Sequence, residues 1–280
     1  MSFTDVEYSF DVKYVKINGV RTAFIDEGKG HVLIFLHGNG SDLSSFDLNY
    51  PKFVDSYRVI GVDLPGFGKS DKPIIDYTAE WYVDHLKVLL QKLGVKKCTM
   101  IGHSFGGLLA LRFSSKYPDM VASLVLVDAA GTYKYPPAQE AFMRSTYTPE
   151  KIMASTPEQI KMSMQFGLGQ WEESYQSWVD KWVALSKSSE YKNYAQAVHR
   201  VFLTFLETNL TEQIQAISVP ALIIWGEYDA ILPLSAGREL NNLIQNSQLV
   251  VLKGTGHFPM LTQHEKFNQA VFRFLQEYKK

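Results

Sequence analysis

Residues 98–113 read CTMIGHSFGGLLALRF, and the fold turns on how this stretch is read. One apolar run enters it and another leaves. Between them stands Ser104, with glycines at 102, 106 and 107. The spacing Gly102-His103-Ser104-Phe105-Gly106 fits G-x-S-x-G, the pattern of a serine nucleophile on a sharp strand-to-helix turn. Such a turn strains the backbone and crowds its neighbours, so glycine is needed around it. A helix starting right after Ser104 would point its positive dipole end at the serine. On this stretch alone Ser104 is either a nucleophile or the N-cap of an ordinary helix. A free hydroxyl is a weak nucleophile, so the rest of the chain must provide a base, an acid and an oxyanion site.

Working outward, short runs rich in β-branched and apolar residues recur along the chain. YSFDVKYVKI (8–17) and VRTAFIDEG (20–28) alternate across Asn18-Gly19, which reads as a hairpin turn. HVLIFL (31–36), YRVIGVDL (57–64), CTMIG (98–102), ASLVLVDAA (122–130), PALIIWG (220–226) and SQLVVLKG (247–254) follow. Several are continuously apolar, as befits parallel strands buried on both faces. Helical patterns lie between them at 78–94, 105–118 and 265–280. The expected fold class is α/β, a mainly parallel sheet of about eight strands with helices on both faces.

From about Thr132 to Gln215 no strand pattern occurs. This stretch holds Trp171, Trp178 and Trp182, and Met143, Met153, Met162 and Met164. Thr156-Pro157-Glu158 has the form of a helix start. We read residues 132–215 as a helical insertion, with the core formed by 1–131 and 216–280. Its Trp and Met residues are expected mostly in helix packing, with a subset facing an apolar substrate pocket.

Composition excludes several classes. The formal net charge is −1 and no long Lys/Arg run occurs, so a nucleic-acid surface has no electrostatic basis. Cys98 is the single cysteine, so there is no intrachain disulfide; in its apolar run it is expected to be buried and inert. The N-terminus lacks a basic region followed by an apolar stretch, and runs such as VLIFL (32–36) are too short to span a bilayer. A cytoplasmic location is expected.

The candidate base is His257, on a loop after the last strand among Gly254, Gly256 and Pro259. A loop histidine at a strand's C-terminal end, with a reference pKa near 6.5, suits acid–base work. His103 adjoins the serine, but on such a turn its side chain must diverge. His31, His85, His199 and His264 lie on other elements. The candidate acid is Asp229, after the strand ending at Gly226, with Asp128 its rival at the end of another strand. Asp63 and Glu227 are the weaker acidic positions. FLHGNG (35–40) ends a strand in a loop that can aim a backbone N–H at a developing oxyanion. The donors are assigned to the N–H groups of Asn39 and Phe105, each worth about 3 kcal/mol. The bland alternative is a turn whose glycines serve geometry alone. His37 is expected to be buried and to tie the loop down. No His/Asp/Cys cluster has metal-ligand spacing. The order Ser104, Asp229, His257 is the hydrolase order Ser…Asp…His.

With FLHGNG, GVDLPGFGKSDKP, IGHSFGG, WGEYDAILP and GTGHFPMLTQ in this order, the sequence resembles the α/β-hydrolase superfamily over essentially its whole length. The resemblance implies Ser104 as nucleophile, Asp229 as acid, His257 as base, a lid inserted near Gly131 and no cofactor. Haloalkane dehalogenases and epoxide hydrolases are similar but carry aspartate as nucleophile. Carbon–carbon hydrolases of aromatic ring degradation use serine, with a proline in a longer oxyanion loop that HGNGSD lacks. Cofactor-free haloperoxidases share the triad. The expected activity is cleavage of small hydrophobic or aromatic carboxylic esters. The alternatives are carbon–carbon hydrolysis of a dienoate or β-diketone, or a small-molecule receptor on the same fold. The expected partner is a small-molecule ester, without nucleic acid or membrane span. These motifs do not distinguish a monomer from a homo-oligomer.

Overall fold

The computed structural model describes residues 2–278. Its centre is one eight-stranded sheet: β1 (Lys13–Ile17), β2 (Val20–Glu27), β3 (Val32–Leu36), β4 (Arg58–Val62), β5 (Cys98–His103), β6 (Val121–Val127), β7 (Ala221–Gly226) and β8 (Ser247–Leu252). The order across the sheet is β1-β2-β4-β3-β5-β6-β7-β8. β1 and β2 run antiparallel to their neighbours, and every pairing from β4 to β8 is parallel. Asn18 and Gly19 join β1 to β2 with φ of 49° and 88°, the positive pair that a two-residue hairpin requires.

The expected strands are present, with shifted ends. The run from Tyr8 pairs only from Lys13 onward. Tertiary contacts take its first half off the sheet edge: the Tyr8 hydroxyl donates to Asp63 Oδ2, and Phe10 meets Tyr50 edge-on. β6 stops at Val127 because Asp128 turns to a φ of 42°.

Alternation along each strand builds a core on both faces. On β3, Val32, Ile34 and Leu36 join one buried cluster while Leu33 and Phe35 join the other. The first cluster is roofed by helices Ala79–Lys92, Phe105–Lys116 and Leu234–Leu243, the second by helix His264–Glu277. Each fully buried large aliphatic or aromatic side chain contributes roughly 1.5–3 kcal/mol. Helix Ala79–Lys92 begins where Thr78 Oγ1 accepts the Trp81 N–H. Helix Phe105–Lys116 ends two residues before Pro118. The expected last helix runs to Glu277, and residues 279–280 lie outside the described part.

Between β6 and β7 the regular elements are helical. The longer ones are Pro137–Thr146, Pro157–Leu168, Gln176–Leu185 and Tyr191–Glu207. Thr156 and Gln159 form a reciprocal capping box at the start of Pro157–Leu168. Among the described residues no helix is long and apolar enough to cross a membrane.

Candidate active site

From Cys98 through Leu111, Ser104 is the only residue that is not buried. Its φ of 53° and ψ of −115° lie where non-glycine residues are strained. Backbone hydrogen bonds lock that conformation: Ser104 N–H donates to Val127 O (2.9 Å), while Gly107, Leu108 and Ala130 N–H groups donate to Ser104 O at 3.0–3.1 Å. The flanking glycines are required by close packing. A Cβ on Gly102 would lie 2.3 Å from Gly106 O, and one on Gly106 would lie 2.2 Å from Leu36 O.

Asp229 and His257 meet. The His257 Nδ1–H donates to Asp229 Oδ2 at 2.7 Å, which leaves Nε2 with its lone pair. Asp229 Oδ1 accepts the N–H groups of Ile231 (2.8 Å) and Leu232 (2.9 Å). His257 is fixed by its own backbone as well: its N–H donates to Gly167 O at 2.7 Å. Its carbonyl accepts the His103 Nε2–H at 2.7 Å. His103 thus turns from Ser104 and braces His257, and burial holds it neutral with a pKa well below the ordinary value. Ser104 Oγ has no hydrogen bond among the described residues, so the structure joins Asp229 to His257 by a hydrogen bond but not His257 to Ser104. Such a bond is often long before substrate arrives.

The loop after β3 approaches the serine closely. A Cβ on Gly38 would lie 3.1 Å from Ser104 Cβ, which places Asn39 next to it. Phe105 is the first residue of its helix, where N–H groups have no partner within the helix. His37 anchors this loop from beneath. Its Nδ1–H donates to Gly38 O (2.8 Å) and its Nε2 accepts the Leu64 N–H (3.0 Å). Burial lowers its pKa to about 4. The unfolded chain therefore binds a proton that the folded one refuses between about pH 6.5 and 4. Stability contributed by neutral His37 is present above that window and is lost as pH falls through it. Urea denaturation at pH 7 and pH 4.5 should show wild type losing about 2 kcal/mol more than His37→Gln. Equal losses would show that His37 does not drive the pH dependence.

The other acidic positions resolve differently. Asp63 accepts N–H groups from Leu43 and Lys69 and the Tyr8 hydroxyl, bracing the turn after β4. Glu227 accepts the Gly254 N–H. Asp128 stands beside Asp229, and the two carboxyls and His257 each place a ligand-type atom within 4.8 Å of the others. Sequence spacing did not reveal this trio, because β6 and β7 are neighbours only in the sheet. Most of its atoms are already committed, to each other and to backbone N–H groups. Cys98 is buried, and burial pushes its thiol up to about 12.

A cavity of about 270 Å³ opens at Asn39 and at Phe258, the residue after His257. Trp178, Trp182 and Met164 line it, with Ile152, Ile160 and Val198. Trp171 and Met143 pack elsewhere, and Met153 and Met162 face solvent. Among the described lining residues none is lysine or arginine. The Lys181 ammonium lies over the rings of Trp178 and Trp182 and pairs with buried Asp42 at 3.1 Å.

Residues 31–263 match the model of the alpha/beta hydrolase fold family. The chain belongs to that family. It is 30% identical over 276 residues to a 2-hydroxy-6-oxononadienedioate/2-hydroxy-6-oxononatrienedioate hydrolase of Pseudomonas sp., covering 95% of each chain. A thermophilic esterase from Thermogutta terrifontis superposes with a TM-score of 0.81 at 28% identity, over 96% of this chain and all of the other (100%). A meta-cleavage product hydrolase from Pseudomonas fluorescens IP01 gives 0.81 at 26% identity, over 95% and 97%. This alpha/beta hydrolase is thus similar both to an esterase and to a meta-cleavage product hydrolase.

Three supports of the site were missed in the sequence: Gly167 O, Val198 O, which accepts the Asn39 Nδ2–H, and the His103 ring. The first two are backbone carbonyls, which carry no residue identity. A usable signal existed for the first, in the paired small residues of FGLG (166–169) and GTG (254–256). A Cβ on Gly256 would lie 2.6 Å from Gly167 O.

Proposed function

We propose that the protein is a serine hydrolase that cleaves carboxylic esters of small hydrophobic or aromatic substrates through an acyl-enzyme. In this reading His257 Nε2 takes the Ser104 proton as Oγ attacks the ester carbonyl. The N–H groups of Asn39 and Phe105 receive the oxyanion. Asp229 keeps the imidazole in the tautomer that allows this, and His257 then protonates the leaving alcohol. Water repeats the sequence on the acyl-enzyme. Residues 132–215 act as the cap that walls the substrate.

One observation favours a neutral ester over a ring-cleavage product. The relatives that cleave such products act, by their names, on dioates or dienoates, which are carboxylates. Burying a carboxylate without a cation is costly. The lining of this cavity mixes Trp178, Trp182, Phe258 and aliphatic groups with Ser41, Ser155, Gln159 and Ser163 but holds no lysine or arginine, and Lys181, over Trp178 and Trp182, is already paired.

The test is a substrate panel. p-Nitrophenyl butanoate and hexanoate should be turned over many times per protein molecule. A hexanoate analogue with a terminal carboxylate should have a kcat/KM lower by about a hundredfold. Faster hydrolysis of a 2-hydroxy-6-oxodienoate than of any ester would transfer the assignment to carbon–carbon cleavage. Stoichiometric binding without turnover would make the protein a receptor.

A further inference from the structure

Asp128 is fully buried, and the mechanism above leaves it without a task. Its N–H donates to Ile224 O (3.0 Å), and its Oδ1 accepts the Gly226 N–H (2.8 Å). These bonds hold it in the left-handed conformation noted above, and they aim its other oxygen. That oxygen, Oδ2, is buried and has no conventional donor. The Asp128 carboxyl stands against that of Asp229, and with Oδ1 taken by Gly226, Oδ2 is the oxygen left for this contact.

Two ionised carboxylates in contact, away from water, repel strongly, so one of the pair keeps its proton. The donors decide which one. Asp229 receives Ile231 N–H, Leu232 N–H and the imidazole Nδ1–H, whereas Asp128 receives a single backbone N–H. The proton of the pair therefore rests on Asp128. Burial and the Asp229 charge both raise the Asp128 carboxyl well above the usual range. The other titratable groups facing the pair are His257 and, against it, the neutral His103. Tyr135 lies close by as well: burial and then the Asp229 carboxylate raise its hydroxyl, which donates to Ile231 O.

We propose that Asp128 is a positioning residue that carries a proton on Oδ2, donates it in a hydrogen bond to Asp229, and so fixes the carboxylate that orients His257. The proposal rests on the reading of Asp229 and His257 as acid and base. With the extra donor in place, Asp229 can neither rotate off the imidazole nor draw the imidazole proton to itself. The bond supplies orientation and touches no substrate.

Two variants test it. Asp128→Asn keeps an N–H donor for Asp229 and a carbonyl for Gly226 N–H; Asp128→Ala removes both. Asp128→Ala should lower kcat on p-nitrophenyl butanoate roughly 10- to 100-fold, the usual size of losing an outer hydrogen bond to an orienting group, with KM little changed. It should also move the acid limb of the kcat/KM–pH profile to higher pH, because a carboxylate stripped of a donor favours the protonated imidazole. Asp128→Asn should recover most of kcat and restore the limb. An infrared difference spectrum, wild type minus Asp128→Asn at pH 7, should contain the carbonyl stretch of a protonated carboxyl; this measurement stands even where Asp128→Ala does not fold. The absence of that band overturns the proposal, as does equal damage by both variants. The triad reading is checked in the same assay: if His257→Gln retains wild-type rates, it is that reading which fails.

Discussion

Replacing Ser104 by alanine should lower turnover of a p-nitrophenyl ester by about four to six orders of magnitude, with the protein otherwise intact. The substitution removes one oxygen, the side-chain hydroxyl of the turn. Alanine adopts the same strained backbone at a similar cost, and the hydrogen bonds that lock the turn are all main-chain. The fold should therefore persist, and KM should change little. Residual activity over water would come from the oxyanion site and from binding. Single-turnover kinetics on the variant measure the loss directly. A fluorophosphonate probe should label wild type once per chain and leave Ser104→Ala unlabelled. Activity within tenfold of wild type would remove Ser104 from the mechanism and with it the ester hydrolase reading.

Gly106→Ala should be the most damaging methyl group that can be added to this turn. The new Cβ would lie 2.2 Å from Leu36 O, 2.6 Å from Leu36 C and 2.7 Å from His37 O, all main-chain atoms at the end of β3. Nothing there is the far end of a flexible side chain, so the helix must move off the sheet. We expect a loss of about 3 kcal/mol or more, at the upper end for overpacking. Gly94→Ala is the control. It also adds a methyl group, at a φ of +69°, but into open space, and it should cost only about 1 kcal/mol of backbone strain. Urea unfolding of both variants measures the contrast. Gly106→Ala that still folds should also lose activity, since the displaced contact sets the distance between the Asn39 and Phe105 N–H groups. Equal stability of the two variants would mean that the turn yields more easily than its packing implies.

The sheet could be read from the chain because buried strands advertise themselves as apolar runs bounded by glycine, and because each candidate residue lies just past one. What the chain does not carry is lateral order. β4 precedes β3 in the sheet, and β6 lies against β7. That last adjacency places Asp128 and Asp229 side by side, so two residues that compete as acid in a linear reading form a pair in the fold. Tyr8 illustrates the opposite limit. Its run alternates like a strand, yet the pull of Asp63 on its hydroxyl takes it out of the sheet. The helical stretch was recognisable by composition, but only three of its seven Trp and Met residues reach the cavity, since helical phase and packing decide which face each one presents.

The loop after β3 is tied to the helices between β6 and β7 at several points. Asn39 Nδ2–H donates to Val198 O (3.1 Å), the Tyr194 hydroxyl donates to Gly40 O (2.7 Å), and Lys181 bridges Asp42 and Ser44. The first two end on main-chain carbonyls, but the last joins side chains, and both of its sides have to be inherited together. A chimera that imports the helical segment from a relative while keeping residues 39–44 would strand Asp42 as a buried, unpaired charge. The unit that can be exchanged between family members is the segment together with this loop, although residues 45–131 separate them in the chain.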